Sequence, residues 1–115
     1  MSRPDTVYLR HILDEAIYLA SASDGLDQST FLTDPTLRRA FARSTEIMGE
    51  ATKQLSADLR DRYTDVEWRS MARMRNRLIH GYIGVDYEVV WNVAAVEAPL
   101  LRDRLEAIIA EEEAR

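Results

Sequence analysis

The chain has 115 residues, 46% of them hydrophobic and 30% charged, with a formal net charge of −5, the balance of one globular domain (1–115) with no room for a second catalytic domain. Cysteine is absent, which excludes disulfides and thiol catalysis, and the two histidines, His11 and His80, belong to no metal-ligand spacing, so no metal or cofactor is expected. No apolar run approaches the roughly 20 residues that span a bilayer, and Met1-Ser2-Arg3-Pro4-Asp5 carries no apolar signal core, so a cytoplasmic protein without membrane attachment is expected.

A first helix is predicted from about Asp5 to Ser23, with Leu9, Ile12, Leu13, Ala16, Leu19 and Ala20 on one face and Gly25 near its end. Leu26 to Thr33 reads as a linker with a helical turn around Phe31. Asp34 then caps a second helix and Pro35 takes its first position, where a missing amide proton costs nothing. Its stripe of Leu37, Ala40, Phe41, Ser44, Ile47, Met48, Ala51 and Leu55 predicts a helix running to about Leu59. Thr64 and Glu67 form a capping box and Tyr63 with Trp68 a hydrophobic staple, which opens a third helix ending near His80. After a loop from Gly81 to Val85, Asp86 caps a fourth helix with Val90, Val93, Ala94, Leu101, Leu105 and Ile108 on its face. Pro99 removes a hydrogen bond there and should kink or split it. The acidic end Glu111-Glu112-Glu113 reads as frayed and solvated. No alternating run is long enough to propose a strand, and four amphipathic helices with short connections predict an all-α, up-and-down four-helix bundle.

The third helix carries the chemistry. Its stripe is read from Trp68, Met71, Ala72, Leu78, Ile79 and Tyr82, and Arg75 falls in its middle. A guanidinium keeps its proton, so a buried Arg75 would need a carboxylate, carbonyls or a bound anion beside it. On an unbroken helix His80 lies about 140° round the axis from Arg75, too far to grip one small group with it. Two geometries bring them together: the helix ends near His80 with Gly81 in a left-handed cap, or two copies meet across a symmetric dimer. Between Arg60 and His80 six arginines face three carboxylates, a local positive surplus in an acidic chain, and fourteen of the fifteen basic residues are arginine, the better bidentate phosphate ligand. Arg73 and Arg77 are the RNA- or phosphate-binding candidates beside Arg75.

Arg75, His80 and Tyr82 spell arginine, four residues, histidine, one residue, tyrosine, with Asn76 beside the arginine. These residues resemble the signature of the HEPN superfamily in its HepT-like toxin branch. Tyr8 to Asp14, Glu46 to Lys53, Trp68-Arg69 with Met74-Arg75-Asn76, and Gly84-Val85-Asp86 with Val90-Trp91 look like the four helical blocks of that family in order. The resemblance implies an HEPN-like bundle and the toxin of a two-gene toxin–antitoxin system. It also implies a minimal nucleotidyltransferase (MNT-type) antitoxin as partner, with AMP transfer to Tyr82 as the means of neutralisation. One departure is Gly81, where the family often has an acidic residue between histidine and tyrosine.

The expected activity is metal-independent RNA cleavage. RNA brings its own nucleophile, the 2′-hydroxyl, so the protein needs only proton acceptor, proton donor and charge stabiliser. His80 is the expected general acid or base, Arg75 the stabiliser of transition-state charge, and Asn76 the orienter of phosphate or imidazole. One copy offers one motif histidine, so either two protomers supply acid and base or one histidine serves both steps; a homodimer is expected, with Ile47, Met71 and Leu78 shared between core and interface. Two other readings stand beside this: a non-catalytic helical partner of the nucleotidyltransferase, and a purely structural helical dimer with Arg75 in a buried ion pair.

Overall fold

The computed structural model describes residues 4–115; the signal-peptide reading of Met1, Ser2 and Arg3 lies outside the described residues. Among the described residues the fold is all-α apart from one minimal hairpin. Helix α1 is Asp5–Ser23, α2 Gln28–Thr33, α3 Pro35–Lys53, α4 Ala57–Arg62, α5 Trp68–Ala72 and α6 Met74–Leu78. Two-residue strands β1 (Ile79–His80) and β2 (Gly84–Val85) follow, joined by a 3₁₀ turn at Gly81–Ile83. Helix α7 (Tyr87–Asn92) passes through a π turn at Val93–Glu97 into α8 (Ala98–Glu113). Helix α1 packs on both α3 and α8, while α5 and α6 pack on α3, giving the four helical columns of a bundle.

The local signals on α1, at the start of α3 and on the last column act as predicted. Leu9, Ile12, Ala16 and Leu19 are fully buried on α1. The Asp34 carboxylate accepts from the amides of Thr36 and Leu37, with Pro35 at the first helical position. Asp86 caps α7 through Glu88 and Val89. Pro99 lacks an amide proton and its ring crowds the carbonyl four residues back, and the π turn immediately before it absorbs that mismatch without ending the column.

The second predicted helix is cut short. It stops at Lys53, and Ser56 starts a separate α4 by accepting from the amide of Leu59. The reason lies far away in sequence: the carboxylate of Asp5 takes the Ser56 amide at 2.8 Å and its hydroxyl at 2.6 Å, holding the chain out of the helical path. The capping box at Thr64 does not form either. Helix α5 begins at Trp68, with no side-chain cap at Glu67. The staple pair survives in another form, with the Trp68 indole N–H donating to the Tyr63 carbonyl at 2.8 Å and both rings buried.

The acidic end is not frayed. Glu112 receives Arg62 at 2.7 and 3.2 Å and the Tyr63 hydroxyl at 2.6 Å, with its side chain only 8% exposed, while Glu113 pairs with Arg10. Burial, and then the hydrogen bond to Glu112, push the Tyr63 phenol up to about 12, whereas the Arg62 hydrogen bond holds the Glu112 carboxyl below its ordinary value.

Candidate functional site

The third column breaks twice, and both breaks shape the motif. The first is the kink at Arg73 between α5 and α6. It sits where α3 approaches the column closely: a Cβ on Gly49 would lie 2.9 Å from the Met74 Cβ and 3.0 Å from the Met71 carbonyl oxygen. Met74 is 1% exposed and, with Trp68, Met71 and Leu78, forms the buried seam. The stripe therefore runs through Met74. Arg75 stands one position round the helix, on its exposed edge rather than in its middle. Among the described residues no carboxylate lies within ion-pair distance of Arg75. The buried ion pair of the structural reading is absent from that set.

Arg75 lines a polar recess of about 240 Å³ with Arg43, Glu46, Gly49, Glu50 and Ala72. Arg43 escaped the sequence reading. It belongs to α3, and only the close approach at Gly49 brings that helix beside the motif. Asn76 and Arg73 are exposed. Arg77 differs from its neighbours: its fork meets the Glu97 carboxylate at 2.7 and 3.2 Å, and Asn92 donates to the same carboxylate at 3.3 Å. Its donors are thus engaged within the chain.

The second break is the end of α6 at Leu78, so His80 does not follow the helical rotation from Arg75. The chain enters an antiparallel pairing of Ile79 with Val85 and His80 with Gly84. The 3₁₀ turn between them depends on Gly81 at φ +53° and Gly84 at φ +93°, backbone that L side chains rarely adopt. This is the left-handed glycine expected at the helix end, built into a hairpin. His80 stands with its side chain 55% exposed and Nε2 3.4 Å from the Asp86 carboxylate. Tyr82, assigned to the stripe from spacing, is instead fully exposed at the tip.

Arg75 faces the α3 side, in a recess that His80 does not line, and His80 faces Asp86 at the start of α7. Of the residues expected at the interface, Met71 and Leu78 are 5% and 1% exposed within a single chain and so serve chiefly its core, while Ile47 is half-buried. Among the described residues there is no grouping of histidine and carboxylates that could hold a metal, and no helix long and apolar enough to cross a membrane.

The model of the family described as "Ribonuclease HepT-like" matches residues 12–108, which takes in all four helical columns and the whole motif. The chain belongs to the ribonuclease HepT-like family. Within the family, it is 41% identical to "Putative RNase TTE0752" of Caldanaerobacter subterraneus subsp. tengcongensis, over 91% of this chain and 94% of that protein. It is 33% identical to "Probable ribonuclease HepT" of Thermococcus cleftensis, over 94% of this chain and 98% of that protein. "Putative RNase MJ1380" of Methanocaldococcus jannaschii is 31% identical over 94% of this chain and its own full length. No solved structure matches this HepT-like chain.

Proposed function

We propose that this HepT-like chain is a metal-independent endoribonuclease and the toxin of a toxin–antitoxin pair. The observation that carries this reading is the exposure of the motif: Arg75, His80 and Tyr82 all reach solvent, and Arg75 has no carboxylate partner among the described residues. A motif kept for packing would be buried, and an arginine kept for structure would be paired, as Arg62, Arg77 and Arg104 are. A free guanidinium is a ready bidentate ligand for phosphate.

In the proposed reaction the RNA 2′-oxygen attacks the adjacent phosphorus while one His80 imidazole takes its proton. The 5′-oxygen leaves with a proton from an imidazolium, so the products are a 2′,3′-cyclic phosphate and a 5′-hydroxyl. Arg75 binds the phosphoryl oxygens and stabilises the charge that builds up on them, Asn76 orients the phosphate or the imidazole, and Arg73 extends the contact along the strand. Arg77 reaches RNA only by exchanging its Glu97 partner for phosphate. Because one chain supplies one motif histidine, a homodimer in which His80 of one copy faces Arg75 of the other supplies acid, base and stabiliser in one cleft.

Neutralisation is assigned to an MNT-type nucleotidyltransferase that transfers AMP to the Tyr82 hydroxyl. The tyrosine sits at the tip of a glycine-flanked turn and is fully exposed, which suits entry into another protein's active site. Each AMP joined as a phosphodiester adds about one negative charge and a purine beside His80, opposing RNA by charge and by volume. The deciding experiment incubates the purified protein with RNA in the presence of chelator and identifies the termini. Cyclic phosphate ends that vanish with His80→Ala support the reading, and a His80→Ala protein that cuts like the parent refutes it.

A further inference from the structure

His80 is held by more than its own hairpin. The Asp86 amide donates to the Leu78 carbonyl at 2.6 Å, which ties the residue after β2 to the residue before β1. The Asp86 Oδ1 accepts from the amides of Glu88 and Val89 at 3.1 and 3.2 Å, so the carboxylate cannot turn without giving up the cap of α7. Its second oxygen, Oδ2, lies 3.4 Å from the His80 Nε2. Serine, threonine or asparagine would cap the helix about as well as aspartate. None of them offers a second anionic oxygen in that place.

Resting on the reading of His80 as the proton-transfer group, we infer that Asp86 is its positioning residue: with one oxygen locked by the helix cap, the other fixes the imidazole ring. The 3.4 Å separation is longer than a formed hydrogen bond, and a small rotation of the half-exposed ring closes it. Nε2–H directed at the carboxylate leaves Nδ1 as the nitrogen that exchanges a proton with RNA. When the ring becomes imidazolium, the carboxylate already stands beside the new charge. Arg77 does not compete for Asp86, although both line one recess of about 480 Å³, because its fork is bound to Glu97. The two glycines are part of the device, since the tight turn they permit brings His80 opposite Gly84 and hence within reach of Asp86.

The test is Asp86→Asn, which keeps the cap and removes the charge. Carbon-13 relaxation at the His80 Cδ2–H and Cε1–H groups reads ring order directly, with His11, held edge-on to Tyr8, as internal reference. The expected result is an ordered His80 ring in the parent, a ring averaging over orientations in Asp86→Asn, and an unchanged His11. In RNA cleavage kcat should fall about tenfold with KM unchanged, a part of the 10²–10⁴ that a positioned acid or base contributes. In a His80→Ala background the same substitution should have no further effect. A ring already mobile in the parent, or equally ordered in both proteins, overturns the inference whatever the activity does. A ring that loosens while kcat stays constant instead overturns the catalytic reading of His80 on which the inference rests.

Discussion

Gly49→Ala should destabilise this protein, although the same change on an exposed helix face stabilises. Alanine in a helix interior is favoured over glycine by about 1 kcal/mol, and Gly49 lies inside α3 with an ordinary helical backbone. Against that gain stands the close approach. The new methyl would meet the Met74 Cβ at 2.9 Å and the Met71 carbonyl oxygen at 3.0 Å, where non-bonded carbon contacts settle at about 3.5–4.0 Å. Neither atom is the end of a flexible side chain, so the whole α5–α6 column must move by roughly 0.5–1 Å. Overpacking of this kind costs about 1–3 kcal/mol and occasionally more, so the net loss should reach about 2 kcal/mol. With an unfolding entropy of about 2.1 cal/mol/K per residue, that lowers Tm by up to roughly 8 °C. The displaced column carries Arg75 one residue beyond Met74, and a shift approaching 1 Å at a phosphate-binding group can cost up to about 10²-fold in rate. Thermal unfolding by circular dichroism and cleavage assayed well below Tm read the two effects separately. A Gly49→Ala protein that melts higher than the parent with full activity would refute the close approach as the device that places Arg75.

Arg75→Ala should abolish RNA cleavage yet change stability by no more than about 0.5 kcal/mol, because the side chain is exposed and pairs with no described carboxylate; a larger loss in denaturant titration would argue for a structural role. Glu112→Gln should lower Tm at neutral pH, and the gap should close in acid. The Glu112 carboxyl is held below its unfolded value of 4.5 chiefly by Arg62, so its contribution is complete above that pH and is lost as pH falls through the folded value. A gap undiminished at pH 3 would contradict this. In alkali the parent should weaken between about pH 10 and 12, since an unfolded Tyr63 ionises near 10 while the folded phenol resists to about 12. Tyr82→Phe should melt like the parent, because the ring is fully exposed, and co-expression with an MNT-type nucleotidyltransferase should add AMP masses to the parent and none to this variant; neutralisation with modification elsewhere would end the assignment of Tyr82. Light scattering at micromolar concentration should give the mass of a dimer, and a monomer would remove the shared cleft.

What could be read from the residues alone is what neighbours in sequence decide. The bounds of α1, the Asp34–Pro35 start of α3, the Asp86 cap and the disturbance before Pro99 all depend on groups within about one helical turn. The HepT-like motif was legible for a similar reason, as Arg75, His80 and Tyr82 are three residues at fixed short spacing. Partners distant in sequence decided the rest. Asp5 ends α3 by holding Ser56, 51 residues away, and the Arg62–Tyr63 pair makes Glu112 of the acidic tail a part-buried anchor across 50 residues. Spacing could not distinguish Met74 from Arg75 as the buried position, because both lie within a broad stripe, and the contact with Gly49 settles which one faces α3. The strands at His80 and Gly84 are too short to leave an alternating pattern, so the hairpin that exposes Tyr82 and sets His80 against Asp86 exists only once two positive-φ glycines have folded the chain back on itself.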